Sequence, residues 1–222
     1  MTTMTVTSST DPTRPSDPVV TRRLLRCGLA AGPVFLGVAA AQILTRTGFD
    51  LTRHPISLLA NGDLGWIQIA NFVLTGSLVI AFAAGLRRTL HGRGGGTWGP
   101  RLLTIFGVGL IVSGVFVADP ANGFPLGTPD EMTPSWHGIL HGVGALGVDA
   151  FAIACLVLAR HFHTRRARAW TIACIAAGVG LEALLADPTS AAMSLRMAAG
   201  GVVTYTVIAA LALHTLARTR HP

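Results

Sequence analysis

LGWIQIANFVLTGSLVIAFAAGL, residues 64–86, runs for 23 positions without an Asp, Glu or Arg, and Arg87-Arg88 closes it. A helix needs about 20 apolar residues to cross the hydrocarbon core of a bilayer, so this stretch reads as a membrane span. Working outward, residues 27–45, 102–118 and 197–217 are equally long or nearly so, with no acid and no Arg inside them. Two more runs are each broken by one acid, 138–159 by Asp149 and 169–186 by Glu182. The expected architecture is an all-α membrane protein of six transmembrane helices arranged as three hairpins. The spans are placed at 24–45, 64–86, 102–118, 134–159, 169–186 and 196–217, within a domain covering 21–218. Residues 1–20, rich in Ser, Thr, Pro and Asp, read as a disordered cytoplasmic tail, and 219–222 as a short cytoplasmic tail.

Composition agrees. Half of the 222 residues are hydrophobic, only 12% are charged, and the mean hydropathy is +0.56. A soluble domain carries about 25% charge, so a water-soluble globule is excluded. The net charge of +7 raises nucleic acid as a partner. The cations sit at the ends of apolar runs instead, which excludes that class. All 17 are Arg. Fourteen of them fall on one side of a six-span chain: Arg14, Arg22, Arg23, Arg26, Arg87, Arg88, Arg93, Arg101, Arg160, Arg165, Arg166, Arg168, Arg218 and Arg220. Only Arg46, Arg53 and Arg196 fall on the other. The positive-inside rule places the crowded side, and both termini, in the cytoplasm of a multi-pass cell-membrane protein. Trp66, Trp98, Trp136 and Trp170 stand at span ends, where interfacial aromatics belong. Cys27, Cys155 and Cys174 show no paired spacing, so neither a disulfide framework nor a zinc ribbon is expected. No nucleotide-binding or haem-attachment motif occurs.

Polar residues collect on the Arg-poor side. His54 lies in Arg53-His54-Pro55-Ile56-Ser57, and Ala118-Asp119-Pro120 and Ala186-Asp187-Pro188 follow the third and fifth spans. Thr133-Pro134 reads as an N-cap and first helical position. It starts the fourth span just before Trp136-His137-Gly138-Ile139-Leu140-His141. The i, i+4 spacing puts His137 and His141 on one helix face. His54, Asp119, His137 and His141 then form a candidate tetrahedral zinc set, with Ser57 as a neighbouring hydroxyl. The competing reading is that these groups hydrogen-bond loop carbonyls and fasten the loops. Asp149, about 18 Å along the helix from His137, falls near the bilayer midplane. An intramembrane carboxyl marks function unless a neighbour such as Thr204 or Tyr205 bonds it. Glu182 pairs in this reading with Arg196. The run Arg160-His161-Phe162-His163 with Arg165, Arg166 and Arg168 is expected to touch anionic lipid.

Arg53-His54-Pro55-Ile56-Ser57 followed by Gly65-Trp66-Ile67-Gln68-Ile69-Ala70-Asn71-Phe72 resembles the signature of the six-span family described as domain of unknown function 998. Asp119-Pro120, Gly123-Phe124-Pro125, His137-Gly138, His141 and Arg196 fit the same pattern, and the likeness covers residues 24–217. In outline the chain is similar to Frag1-type membrane proteins, some of which are tied to lipid-anchor remodelling. More loosely it resembles the alkaline ceramidase and progestin/adipoQ receptor group of intramembrane zinc hydrolases. That resemblance implies Ser57, Asp119, His54, His137 and His141 as the working set. The leading expectation is an enzyme acting on membrane lipid or a lipid-like, isoprenoid-type molecule at the outer face. A zinc-bound water would be its nucleophile. Asp119 and His137, assisted by Ser57 or Glu182, are the catalytic candidates, with or without metal. The alternative is a small transporter or accessory protein in which Asp149 and Glu182 mark a polar path.

Overall fold

In the computed structural model, which describes residues 17–90, 95–187 and 191–219, Asp17 opens the first helix. Its carboxylate accepts the Val19 amide at 2.8 Å, and Pro18 fills the first helical position of α1, Pro18–Thr45. The helix therefore begins six residues ahead of the expected start at 24, because Asp17-Pro18 is a cap and not part of a tail. The remaining tail residues, 1–16 and 220–222, lie outside the described residues. A 3-10 turn, Ile56–Ala60, leads into α2, Gly65–Thr89; α3 follows at Gly95–Val115. The fourth span is built from α4, Trp136–Ala145, and α5, Gly147–Thr164. Helices α6, Arg168–Leu185, and α7, Met193–Arg218, complete the chain. The protein is all-helical among the described residues, and six of its helical stretches are long and apolar enough to cross a membrane.

Other span ends also differ from the sequence reading. Helix α3 stops at Val115, three residues short of 118, and the chain then turns toward the loops. Helix α4 begins at Trp136 and not at 134, because Ser135 is the N-cap that accepts the Gly138 amide. The fourth span is interrupted at Leu146, where Gly142, Gly144 and Gly147 weaken the helix around one turn. Helix α7 starts one turn before Arg196.

Small residues set how closely the spans approach, as expected where lipid removes the hydrophobic drive between helices. At the α2–α3 crossing Gly76 and Gly107 lie backbone to backbone. A Cβ on Gly76 would stand 2.5 Å from the Gly107 carbonyl oxygen, and one on Gly107 2.8 Å from the Gly76 oxygen. Phe35 on α1 meets Phe72 on α2 at 5.4 Å and Tyr205 on α7 at 5.1 Å between ring centroids, which ties three spans at the core. Thr21, Arg88, His161 and Arg218 gather at one end of the bundle, hereafter the arginine-rich face. The loops 46–64 and 116–135 cover the opposite end.

Candidate functional site

The loop-covered end is knit by side chains that reach across to backbone. Arg46 donates to the carbonyls of Leu59 at 3.2 Å and Asn61 at 2.6 Å, and its guanidinium lies 5.4 Å from the Phe124 ring centroid. Asn61 in turn donates to the Ala118 carbonyl. His54, only 3% exposed, stands at the centre. Its Nδ1 accepts the Asp50 amide at 2.8 Å, which leaves the proton on Nε2 to be donated to the Asn122 carbonyl at 3.0 Å. Asn122 presents that carbonyl from a left-handed turn, φ 57°, and returns a bond from its side chain to the Arg53 carbonyl. An exposed ion pair, Arg53–Asp130 at 3.2 Å, adds a last link; exposed pairs of this kind contribute about 1 kcal/mol at most.

A second knot fixes the start of α4. Asp119 accepts both the hydroxyl and the amide of Ser135. A carboxylate only accepts, so the Ser135 proton points to Asp119, and His137 Nδ1 must donate to Ser135 Oγ at 3.1 Å. Gly138 makes room for this arrangement, since a Cβ there would collide with the Asp119 carboxylate. The two Ser135 donors hold the Asp119 carboxyl below the usual carboxylate range, against the opposing effect of desolvation. A carboxyl with a depressed folded pKa stabilises the fold above its unfolded value, near 3.9. It loses that contribution as pH falls through the folded value. The stability gap between wild type and Asp119→Asn in detergent is therefore expected to stay constant from about pH 8 to 5 and to close below about pH 4. Thermal unfolding across that range measures it, and a gap that closes near neutrality would contradict the assignment.

His141 belongs to neither knot. Its Nδ1 donates to the carbonyls of Ser113 at 2.9 Å and Phe116 at 3.0 Å, while the Ser113 hydroxyl donates back to the His141 carbonyl at 3.2 Å. Two carbonyl partners fix the proton on Nδ1 and leave Nε2 with its lone pair and no partner among the described residues. His141 also lines a cavity of about 160 Å³ inside the loop-side half of the bundle. The walls come from every span and are mainly apolar, including Phe35, Phe72, Leu110 and Leu181. Ser57, Ser113, His141, Thr204 and Tyr205 are its polar points.

The structure thus separates residues the sequence grouped. Asp119 and His137 meet through Ser135, His54 is held by two backbone groups, and His141 faces the cavity with Ser57. Both nitrogens of His54 are occupied, and among the described residues no three His, Cys, Asp or Glu side chains converge. The four expected zinc ligands therefore lie in three separate hydrogen-bonding environments, one around His54, one shared by Asp119 and His137, and one around His141. Asp149 is half-buried in the first turn of α5, with no bond to Thr204 or Tyr205. Glu182 is exposed and forms no ion pair with Arg196, which is half-buried. Gly178 lies against Ala152 and Cys155, and this antiparallel register brings Glu182 to the depth of Asp149 one turn outward. Neither acid lines the cavity.

Sequence reasoning passed over a chain of neutral polar groups in the core. Gln42 donates to Gln68 at 2.8 Å, Asn71 donates to the Phe35 carbonyl at 3.1 Å and to Gln68, and Thr75 donates to Asn71. Gln68 is 0% exposed. The signal was present, because amides inside a span are as conspicuous as charges once charge is not the only filter. Ser135 and Ser113 were missed for another reason: their roles depend on contacts 16 and 28 positions away in the chain.

Fold and site together define a six-span helical membrane protein with a loop-capped, largely apolar cavity. The chain belongs to the family described as protein of unknown function (DUF998), which it matches over residues 29–219. No curated protein and no solved structure matches it.

Proposed function

We propose that the protein binds a lipid- or isoprenoid-type molecule in the loop-side cavity and acts on its head group by hydrolysis or group transfer. The observation that carries this reading is the pairing of a mainly apolar cavity with one histidine whose Nε2 lone pair is unpartnered. The cavity is smaller than the roughly 300–1,000 Å³ of drug-sized sites. It therefore takes part of one chain and leaves the rest in the bilayer. His141 Nε2 is the general base: it receives a proton from water or from the Ser57 hydroxyl as that oxygen attacks the head-group ester, the ester bond to the departing oxygen breaks, and the proton passes from His141 to that oxygen. The arginine distribution supports an orientation with this cavity in the outer leaflet of the cell membrane and both termini in the cytoplasm, which a C-terminal fluorescent fusion tests. A non-catalytic lipid-binding role is the alternative, and turnover separates the two.

The test uses detergent-purified protein, with co-purified lipid identified by native mass spectrometry and turnover followed on phosphatidylglycerol and on farnesyl pyrophosphate. Gly201 lines the cavity, and a Cβ there meets nothing within 4 Å. Gly201→Phe is expected to fill the space and displace the lipid. His141→Gln is expected to keep the lipid and lower turnover by about 10²–10⁴, the usual contribution of a general base. Equal lipid retention by wild type and Gly201→Phe would sink the cavity reading. Unchanged turnover in His141→Gln would sink the chemistry.

A further inference from the structure

The polar groups in the wall of the loop-side cavity share one property: none is charged. No Asp, Glu or Arg lines the space. Hydroxyls inside a membrane helix commonly donate to a carbonyl one turn back, as Thr104 does to Pro100 and Thr215 to Leu211. Thr204 and Tyr205, both in the wall, make no hydrogen bond among the described residues. Their hydroxyls are not sealed in, either. The side-chain atoms that are both sealed and unpartnered among the described residues belong to Gln42, Gln68 and His214. Thr204 and Tyr205 are only 4% and 3% exposed, so the open surface of their hydroxyls is assigned to the cavity they line.

His141 adds an acceptor to these hydroxyls. Its Nδ1 proton is committed to the carbonyls of Ser113 and Phe116, so Nε2 offers a lone pair. A phosphate oxygen is repelled by that lone pair, and with no cation in the wall its charge would be buried unpaired. The surroundings do not compensate. On the loop-covered face Arg46, Arg53 and Arg196 stand against Asp50, Asp63, Asp119, Asp130, Glu131 and Asp187. Arg46 is spent on the Leu59 and Asn61 carbonyls, and Arg53 on Asp130. Arg196 precedes the lining residue Met197 but does not itself line the cavity. The face is net acidic, and a face of that sign repels anions.

We infer that the cavity selects an uncharged lipid ester with a free hydroxyl, of the diacylglycerol kind, over a lipid of the same chains bearing a phosphate. The Thr204 and Tyr205 hydroxyls donate to its oxygens, and His141 Nε2 accepts from its hydroxyl or from the water that attacks its ester. Tyr205 is placed for this by a continuous aromatic wall. Its ring lies 5.1 Å from Phe35, Phe35 lies 5.4 Å from Phe72, and Phe72 lies 6.3 Å from His141 between centroids. Gly32 on α1 lets the Tyr205 backbone approach, since a Cβ there would stand 3.0 Å from the Tyr205 Cβ. This inference rests on the cavity reading above and narrows it: within that lipid class, phosphatidylglycerol and farnesyl pyrophosphate are the weaker ligands.

The test measures binding to the full chain in detergent by native mass spectrometry. The two probes are dioctanoylglycerol and dioctanoyl phosphatidic acid, which differ only by the phosphate on one glycerol oxygen. Only binding that Gly201→Phe removes is counted, which subtracts lipid held elsewhere, as at the arginine-rich face. Dioctanoylglycerol is expected to bind about tenfold or more tightly than the phosphatidic acid, because the latter buries an unpaired charge. Tyr205→Phe and Thr204→Val, which keep the shape of the side chain, should each weaken dioctanoylglycerol about fivefold, the worth of one hydrogen bond. Neither should weaken the phosphatidic acid. Absent dioctanoylglycerol binding, equal affinities for the two probes, or tighter binding of the phosphatidic acid would overturn the inference. So would unchanged dioctanoylglycerol affinity in both hydroxyl variants. In the last three cases lipid is still lost in Gly201→Phe, and the cavity reading stands. Equal retention of both probes by wild type and Gly201→Phe would instead remove the cavity reading itself.

Discussion

His54→Ala is expected to destabilise the detergent-solubilised protein by about 3 kcal/mol. The substitution removes a ring packed 5.3 Å from the half-buried Phe49 and 5.4 Å from the buried Phe124 between centroids. It also strands the Asp50 amide and the Asn122 carbonyl, the two groups His54 joins across the loops. A lost hydrogen bond alone costs about 1 kcal/mol, and a buried partner left unpaired costs about 1–3. His54→Phe separates the contributions, since it keeps the ring and removes both bonds; it should recover about 1 kcal/mol of the loss. Thermal unfolding reads both variants. A fastening residue also makes a second demand: a chelator should leave the wild-type unfolding temperature unmoved. A drop of several degrees with chelator, matched by His54→Ala, would return the residue to a metal site.

That result bears on what could be read from the chain. The spans were legible because membrane burial is a composition rule that acts on about 20 residues at a time, and local exceptions such as Asp149 and Glu182 do not mask it. The ends of the spans were less so. Ser135 outcompetes Thr133 as the cap of α4 only because Asp119, 16 residues earlier, takes its hydroxyl proton. Proximity of His54, Asp119, His137 and His141 to one membrane face was legible too, but membership of one face says nothing about distance within it. Donor and acceptor partners decide the roles. His54 spends both nitrogens on backbone, His137 turns its Nδ1 to the cap, and His141 spends only Nδ1. The deciding partners are distant in the chain: Asn122 is 68 residues from His54, and Ser113 and Phe116 are 28 and 25 residues from His141.

The closest helix crossing near the His141 cavity gives the second large effect. Gly109 on α3 faces Gly144 and Gly147 on either side of the break at Leu146. A Cβ on Gly109 would collide with the Gly144 carbonyl oxygen and stand 3.0 Å from the Gly147 Cα. Both are backbone atoms, so no side-chain rotation relieves the clash, and α4 and α5 must move off α3. Overpacking of this kind costs about 1–3 kcal/mol, and Gly109→Ala is expected near the upper end. The displacement is also aimed at the site. Gly144 lines the cavity, and His141 one turn away depends for its orientation on the carbonyls of Ser113 in α3 and Phe116 just after it. Lipid retention should therefore fall together with stability. Gly142→Ala is the matched control on the same helix: a Cβ there meets nothing within 4 Å, and the exchange favours helix by up to about 1 kcal/mol. It should unfold at or above the wild-type temperature and retain lipid fully. Equal losses in the two variants would mean that α4 tolerates no added bulk anywhere, and the crossing at Gly109 would have no special part in shaping the cavity.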